Sequence, residues 1–415
     1  MWPCPELDEV VHIRTGTINP LKYPEMEFEL FSIPGFDIGS PEIKVGSEIL
    51  SNKNVVKPDD VLFSKLNPRI PRIWIVPKSK HRRQISSTEF WPLVCDQRLL
   101  SNHYLRYFLL KLAKEGVFSD SIEAATRSRS RIKPFHLLHQ HIPLPPLSEQ
   151  RRIVEILDQA DALRKKRAEA DAKAARILPA LFYKMFGDPA TNPTGWDQKP
   201  FDLAFEDCTA QFPKLQRNAY QVTGRFPVVD QCKELVAGYC DDESLVTHVA
   251  NPVIVFGDHT RIVKYVDFPF VAGADGSRVF AAKEGFLPAF LAMQLELQPI
   301  PNLGYSRHMR EVRRLRFIAP PASLQRRYAE RAESIRPLLK AQTSCRDNIE
   351  SIWQTLLHHA FTGYLTAKWR EAHMKELLAE MEHQAKALKI DDFRSPIEED
   401  YKSSIINHQS EIPHD

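Results

Sequence analysis

Apolar residues recur at heptad spacing along two long stretches, and each stretch is announced by a pair of prolines. The first follows Pro145-Pro146-Leu147-Ser148-Glu149-Gln150-Arg151-Arg152 and runs Ile153, Ile156, Ala160, Leu163, Arg167, Ala170, Ala174, Ile177, Leu181. The prolines hold the entry extended, because each restricts the residue before it. Ser148 stands as the expected N-cap, with Arg151 three residues on, so no capping box is formed. The spacing predicts a helix from Ser148 to Leu178, kinked or ended by Pro179, packed along another helix.

The same pattern returns 175 residues later as Pro320-Pro321-Ala322-Ser323-Leu324-Gln325-Arg326-Arg327. Glu155 aligns with Glu330, Leu163 with Leu338, Ile177 with Ile352, Leu181 with Leu356 and Phe186 with Phe361. The second seam reads Tyr328, Arg331, Ile335, Leu338, Gln342, Cys345, Ile349, Ile352, Leu356. A gapless register this long marks an internal duplication. Arg167 and Gln342 are the midpoints of the two seams, so an antiparallel pair brings them to one central layer.

Shorter patterns precede each helix. Val61-Leu62-Phe63 and Ile73-Trp74-Ile75-Val76 read as strands broken by Pro68, Pro71 and Pro77. A helix is expected over Asn102–Lys114, with Tyr104, Leu105, Phe108, Leu109 and Leu112 on one face. After the punctuation of Gly187-Asp188-Pro189, Trp196, Phe201 and Ala204 echo Trp2, Leu7 and Val10 faintly, and Val253-Ile254-Val255-Phe256 echoes the first strand. The expected class is α+β: two globular domains (1–144 and 188–318), each followed by a long helix (145–187 and 319–365), the helices pairing as an antiparallel coiled coil. A C-terminal helix (366–390) and an acidic, disordered tail (391–415) complete the division.

Charge changes this picture in two places. The formal net charge is only +3, but the tail sets seven acidic residues against Arg394 and Lys402, so the body is the more basic part. No acidic residue occurs from Val61 to Thr88, an interval holding Lys65, Asn67, Arg69 and Arg72, nor from Ala124 to Ser148, which opens with Arg127, Arg129 and Arg131 alternating with hydroxyls. Guanidinium groups and hydroxyls in such loops suit phosphates and guanine edges. The second copy places His259 and Arg261 after its strand, and Tyr305, Arg307, His308 and Arg310 before its proline pair, at the equivalent positions. Tyr305 is read equally as a base-stacking or a loop-packing residue. These residues are the candidate DNA contacts; a solvated basic loop is the plain alternative for any one of them.

Two copies of this proline-led entry and helix, each behind a β-containing segment, resemble the specificity subunit of type I restriction-modification enzymes from Trp2 to about Arg370. The resemblance implies two target-recognition domains, each reading half of a bipartite DNA target, on a coiled-coil spacer that docks partners. The implied partners are double-stranded DNA, two adenine methyltransferase subunits and two restriction subunits, with S-adenosylmethionine, ATP and Mg on those subunits and none in this chain. Leu324 departs from the pattern, standing where the first entry has Glu149.

The chain's own chemistry agrees with a recognition role. There is no Asn/Asp/Ser-Pro-Pro-Tyr/Phe loop, no GxGxxG turn and no GxxxxGK[ST] loop. Asp37, Glu42 and Lys44 are read as a charged surface turn rather than a nuclease centre. Neither His259 nor His308 has a metal-ligand partner at suitable spacing, and the six cysteines form no CxxC pair. A reduced, cytoplasmic protein without signal peptide or membrane span is expected. The rival reading is a coiled-coil scaffold without DNA specificity.

Overall fold

Val61-Leu62-Phe63 is apolar without alternation because it lies in the inner strand of a sheet covered on both sides. The computed structural model describes residues 2–79, 82–118, 131–247, 252–274, 276–304 and 306–388, with only backbone at Thr343 and Ser344. It is a mixed helix-and-sheet structure whose contacts divide it into two units, Met1–Lys165 with Ile349–Asp415, and Lys166–Asn348.

In the first unit, a helical turn at Leu7–Val10 leads into β1 (Val11–Ile13). With β2 (Val61–Ser64), β3 (Ile73–Ile75) and β4 (Phe90–Cys95) it forms an antiparallel sheet of order β1-β4-β2-β3. Val61 and Phe63 point into the main core, whereas Leu62 joins Phe31, Val76 and Phe90 on the other side. A second, mixed sheet pairs Glu27–Phe31 parallel with Arg83–Ser86, which in turn pairs antiparallel with Lys53–Val55. Helix α1 spans Asn102–Lys114, as its periodicity predicts, and buries Tyr104, Leu105, Phe108, Leu109 and Leu112.

Helix α2 runs Leu147–Ala174 and α3 runs Ile177–Phe186. The break at Ala175-Arg176 lies before Pro179 rather than at it, because the proline ring crowds the carbonyl four residues back. Ser148 is not the N-cap: its hydroxyl is buried with no partner among the described residues, and its backbone N–H donates to Glu380 (3.1 Å).

In the second unit, Phe201–Ala204 is again a helical turn, followed by β5 (Phe205–Asp207). With β6 (Val253–Gly257), β7 (Val263–Val266) and β8 (Ser277–Ala282) it forms an antiparallel sheet of order β5-β8-β6-β7, the order of the first unit. Its mixed sheet likewise pairs Phe226–Val229 parallel with Phe270–Gly273, which pairs antiparallel with Val246–Thr247. The duplication therefore extends through the strands, where the sequence showed only a faint echo. Helix α4 (Pro288–Glu296) takes the place of α1. Helix α5 runs Ala322–Thr362 and stops at Gly363, whose φ of +84° suits glycine. The predicted C-terminal helix is two, α6 (Ala367–Ala372) and α7 (Met374–Leu388), both in the first unit. The acidic tail lies outside the described residues.

Each long helix is tied to its own domain by one glutamine. Gln150 is fully buried, accepts the Ser101 N–H (2.8 Å), and donates to Leu99 O (2.7 Å) and Pro145 O (2.9 Å). Gln325 repeats this with Leu287 N–H (2.9 Å), Gly285 O (3.0 Å) and Pro320 O (2.9 Å). Ser101 and Leu287 immediately precede α1 and α4, so the amide accepts a helix-start N–H that has no partner within the helix.

The helical contacts run in opposite directions within each unit. In the first, Tyr107 touches Asp158 (2.6 Å) and Trp353, while Arg164 meets Glu350 (3.1 Å). In the second, Arg167 donates to the backbone carbonyl of Gln342 (2.9 Å), and Phe182 packs on Tyr328. Arg167 and Gln342 thus meet as expected, but part of the expected seam is out of phase. Leu163, Leu338, Ile177 and Ile352 are 67%, 68%, 45% and 58% exposed. Leu157, Arg164, Trp353 and Leu357, one or more residues on, face inward instead.

Candidate nucleic-acid interface

The two basic loops of the first unit are joined. The Lys65 N–H donates to Glu89 O (3.0 Å), its carbonyl accepts from Ile132 N–H (3.2 Å), and Leu66 forms an antiparallel bridge with Arg131. Asn67 turns the chain with φ of +49°, its carbonyl accepting the Ile70 N–H. The segment after β2 and the segment before the proline entry therefore form one surface, as their lack of acidic residues hinted.

Their arginines differ in availability. Arg131 grips Glu89 through two hydrogen bonds (2.7 and 3.1 Å), and Arg72 grips Asp37 in the same forked manner (2.9 and 3.2 Å). The Arg72 guanidinium holds the Asp37 carboxyl below the usual range. That pairing also assigns Asp37 a structural partner. Arg72 and Arg131 thus shape the loops before they can touch anything else. Arg69 is exposed and forms no ion pair among the described residues; Lys65 and Asn67 are half-buried. Arg127 and Arg129 lie outside the described residues.

The second unit joins its loops through a buried carboxylate that sequence reading missed. Asp258, 1% exposed, opens the turn after β6. Its carbonyl accepts from the His308 N–H and from His308 Nδ1 (both 2.8 Å), and its Oδ1 accepts the Met309 N–H (2.7 Å). His308 Nε2 accepts the Leu303 N–H (3.1 Å), so the proton sits on Nδ1. This corrects the reading of His308 as a DNA contact: it is fully buried, with both ring nitrogens on backbone, and it anchors the loop. Arg261 adopts φ of +63° and donates to Ile300 O (3.0 Å), and His259 is half-buried with its N–H on Gln231. Arg307 and Arg310 are exposed and form no ion pair among the described residues. Tyr305 lies outside the described residues.

A second buried carboxylate explains the difference between the two helix entries. Glu149, 0% exposed, accepts from Trp2 Nε1 (3.1 Å), Thr366 Oγ1 (2.6 Å) and Arg370 Nε (2.8 Å), with the Arg370 guanidinium over the Trp2 ring. Leu324, its counterpart, packs into an apolar cluster of the second unit. At the surface, Glu6, Asp8 and His139 come within 4.8 Å of one another, a grouping their sequence separation conceals. Among the described residues, no helix is long and apolar enough to cross a membrane.

Known proteins point the same way. Residues 2–171 match the family model of the type I restriction modification DNA specificity domain. A curated relative from Methanocaldococcus jannaschii, described as the type I restriction enzyme MjaX specificity subunit, is 24% identical over 413 aligned positions, covering 88% of this chain and 94% of that one. A chain from a structure on complex assembly and conformational transition of the type I R-M system aligns with a TM-score of 0.51 at 18% identity, over 88% of this chain and 98% of that one. The S subunit of a type I system from M. genitalium aligns with a TM-score of 0.52 at 12% identity, over 87% and 96%. At such identities these two likenesses are of fold.

Residues 2–171 thus resemble a type I restriction-modification DNA specificity domain. Over nearly its full length the chain resembles the specificity subunits of type I restriction-modification systems.

Proposed function

We propose that this chain selects the DNA target of a type I restriction-modification enzyme as a bipartite sequence. One β-containing domain reads each half-site, and the chemistry resides on partner subunits. The observation that carries this is the joining of two basic loops beside the same sheet in both units: Leu66 with Arg131 in one, Asp258 with His308 in the other. A reader built twice suits two half-sites met in inverted orientation. Arg69, Arg307 and Arg310 are the exposed cations best placed in sequence to reach bases or phosphates, with Lys65, Asn67, His259 and Arg261 supporting the loops.

In this reading the long helices pair antiparallel along their length and set the spacer between half-sites. Two methyltransferase subunits and two restriction subunits dock around them, bringing S-adenosylmethionine, ATP and Mg, and the assembly works in the cytoplasm. The test is to co-express the chain with its cognate methyltransferase subunit and sequence the methylated DNA. Two short fixed half-sites around a spacer of any sequence are expected. Inserting one heptad after Ala170 and one after Cys345 adds ~10 Å of helix and should lengthen the spacer by roughly 3 bp, with the half-sites unchanged. DNA binding should weaken steeply with salt. An assembled complex that methylates no bipartite motif would leave a scaffold without specificity.

A further inference from the structure

Glu89 is the first acidic residue after the acid-free interval that opens at Val61, and it returns to the surface formed by the two basic loops of the first unit. Its turn is held from both sides: the Ser87 hydroxyl accepts the Glu89 N–H (3.2 Å), and Asn54 Nδ2 donates to Phe90 O (2.8 Å). The carboxylate meets Arg131 through Nε (3.1 Å) and Nη2 (2.7 Å), the lateral edge of the guanidinium. Two of its N–H donors are then used, and no bond among the described residues uses the outer edge, carried by Nη1 and Nη2. The Arg131 side chain is 55% exposed, so that outer edge is open to a partner.

The second unit carries the same framework with a different occupant. Strand β2 ends with Ser64 opposite Phe90, and β6 ends with Gly257 opposite Ser277. Beyond these pairs, the Lys65 N–H donates to Glu89 O (3.0 Å) as the Asp258 N–H does to Gly276 O (2.7 Å). The Ile132 N–H donates to Lys65 O (3.2 Å) as the His308 N–H does to Asp258 O (2.8 Å). Arg131 and Arg307, one residue before those two donors, therefore stand at the same place in the two copies, whereas the helix register would align Arg131 with Ser306. Glu89 is matched by Gly276, whose φ is +80° and whose missing Cβ would lie 2.6 Å from His259 and 2.8 Å from Gln231. No side chain fits there, and Arg307 is exposed with no ion pair among the described residues. The second unit thus makes the same two backbone bonds without a carboxylate, so joining the loops does not account for Glu89.

We propose that Glu89 is a specificity-determining residue of the first reader, locking the Arg131 guanidinium so that its outer edge pairs with O6 and N7 of one guanine in that reader's half-target. This rests on the reading of the chain as the selector of a bipartite DNA target, and it assigns a base and a positioning residue within it. A guanidinium neutralised by a carboxylate draws phosphate weakly, and what remains is its directed pair of donors. Guanine presents two acceptors that match this pair in the major groove. The lock also spares the ordering of a long, rotamer-rich side chain on binding. Arg307, which has no such lock, tolerates a wider choice of partner at the equivalent position of the other half-target.

Full-length chain co-expressed with its cognate methyltransferase subunit, followed by sequencing of the methylated DNA, provides the test. The wild type should require guanine at one position of one half-target. R131A should lose that requirement, with discrimination against the other bases falling about ten- to a hundredfold. R131K should do the same, because it keeps the charge without the fork. E89A should relax the same position about two- to tenfold, and E89A/R131A should go no further than R131A. The other half-target and the spacer should hold in all four variants, and melting temperatures of the free chains should stay near the wild type, since the ion pair is partly exposed. Loss of every preference in that half-target together with a lowered melting temperature would make the pair a loop staple and overturn the proposal. So would a guanine requirement that E89A or R131K leaves intact. A wild-type complex that methylates no bipartite motif overturns the reading and the proposal together.

Discussion

Replacing Gln150 or Gln325 by alanine tests how the domains are held to their helices. Each change removes three hydrogen bonds from a fully buried amide. An orphaned buried donor or acceptor costs about 1–3 kcal/mol, so Q325A, which strands the Leu287 N–H and the carbonyls of Gly285 and Pro320, should destabilise the second unit by about 3–4 kcal/mol. Q150A should cost about 1 kcal/mol less, because Pro145 O keeps a second donor in Gln384 Nε2 (3.1 Å). Native-state hydrogen exchange reads the units separately: the Ser101 amide should lose protection in Q150A, the Leu287 amide in Q325A. Costs under about 1 kcal/mol for both, or a larger cost for Q150A, would show that the amides fill space and do not clamp.

Three further outcomes follow from the geometry. R69A and R307A should each relax selection in one half-target and not the other, at about 1–3 kcal/mol if the residue reads a base, as scored by methylated-DNA sequencing. R370A leaves the Glu149 carboxylate buried with two donors instead of three; because Arg370 is partly exposed, about 2 kcal/mol is expected, with early protease cleavage between Thr366 and Leu388, and an uncleaved segment would refute the lock. Burial pushes the Asp161 and Glu350 carboxyls up, but Lys165 and Arg164 on the first, and Arg164 and Lys114 on the second, more than offset it and hold both below their ordinary values. Their contribution is then complete above the unfolded values near 4 and is lost as pH falls through the lower folded ones, so D161N/E350Q should flatten the acid limb of a stability–pH curve and leave neutral pH slopes alone.

What the sequence displayed was local or repeated. The two proline-led entries and the Asn102–Lys114 helix stand in the structure close to where periodicity places them, and the repeat predicted equivalent loops in both halves. The seam was misphased because its true inward positions include Arg164, a charge that Glu350 and Asp161 satisfy. An apolar template passes over such residues and selects Leu163 and Ile352, which face water. His308 was misread for the converse reason, a polar loop residue whose ring nitrogens meet backbone atoms, one of them fifty residues away. The Glu149 site was invisible because its partners lie 217 and 221 residues downstream, and nothing in local spacing reports such a distance.

That Glu149 site ties the start of the chain to its far end. Trp2 and Arg370 sit on the same carboxylate, and α7 returns from there to hold Ser148 and Pro145. The order in which the polypeptide visits its two repeats is thus not what the fold depends on. A gene opened at the exposed Ala190–Gly195 turn, with a flexible linker from beyond Leu388 back to Trp2, would encode the second repeat first and preserve every contact described. On the proposed reading, each domain would keep its own half-target preference through such a permutation, because its contacts to its own helix are unchanged.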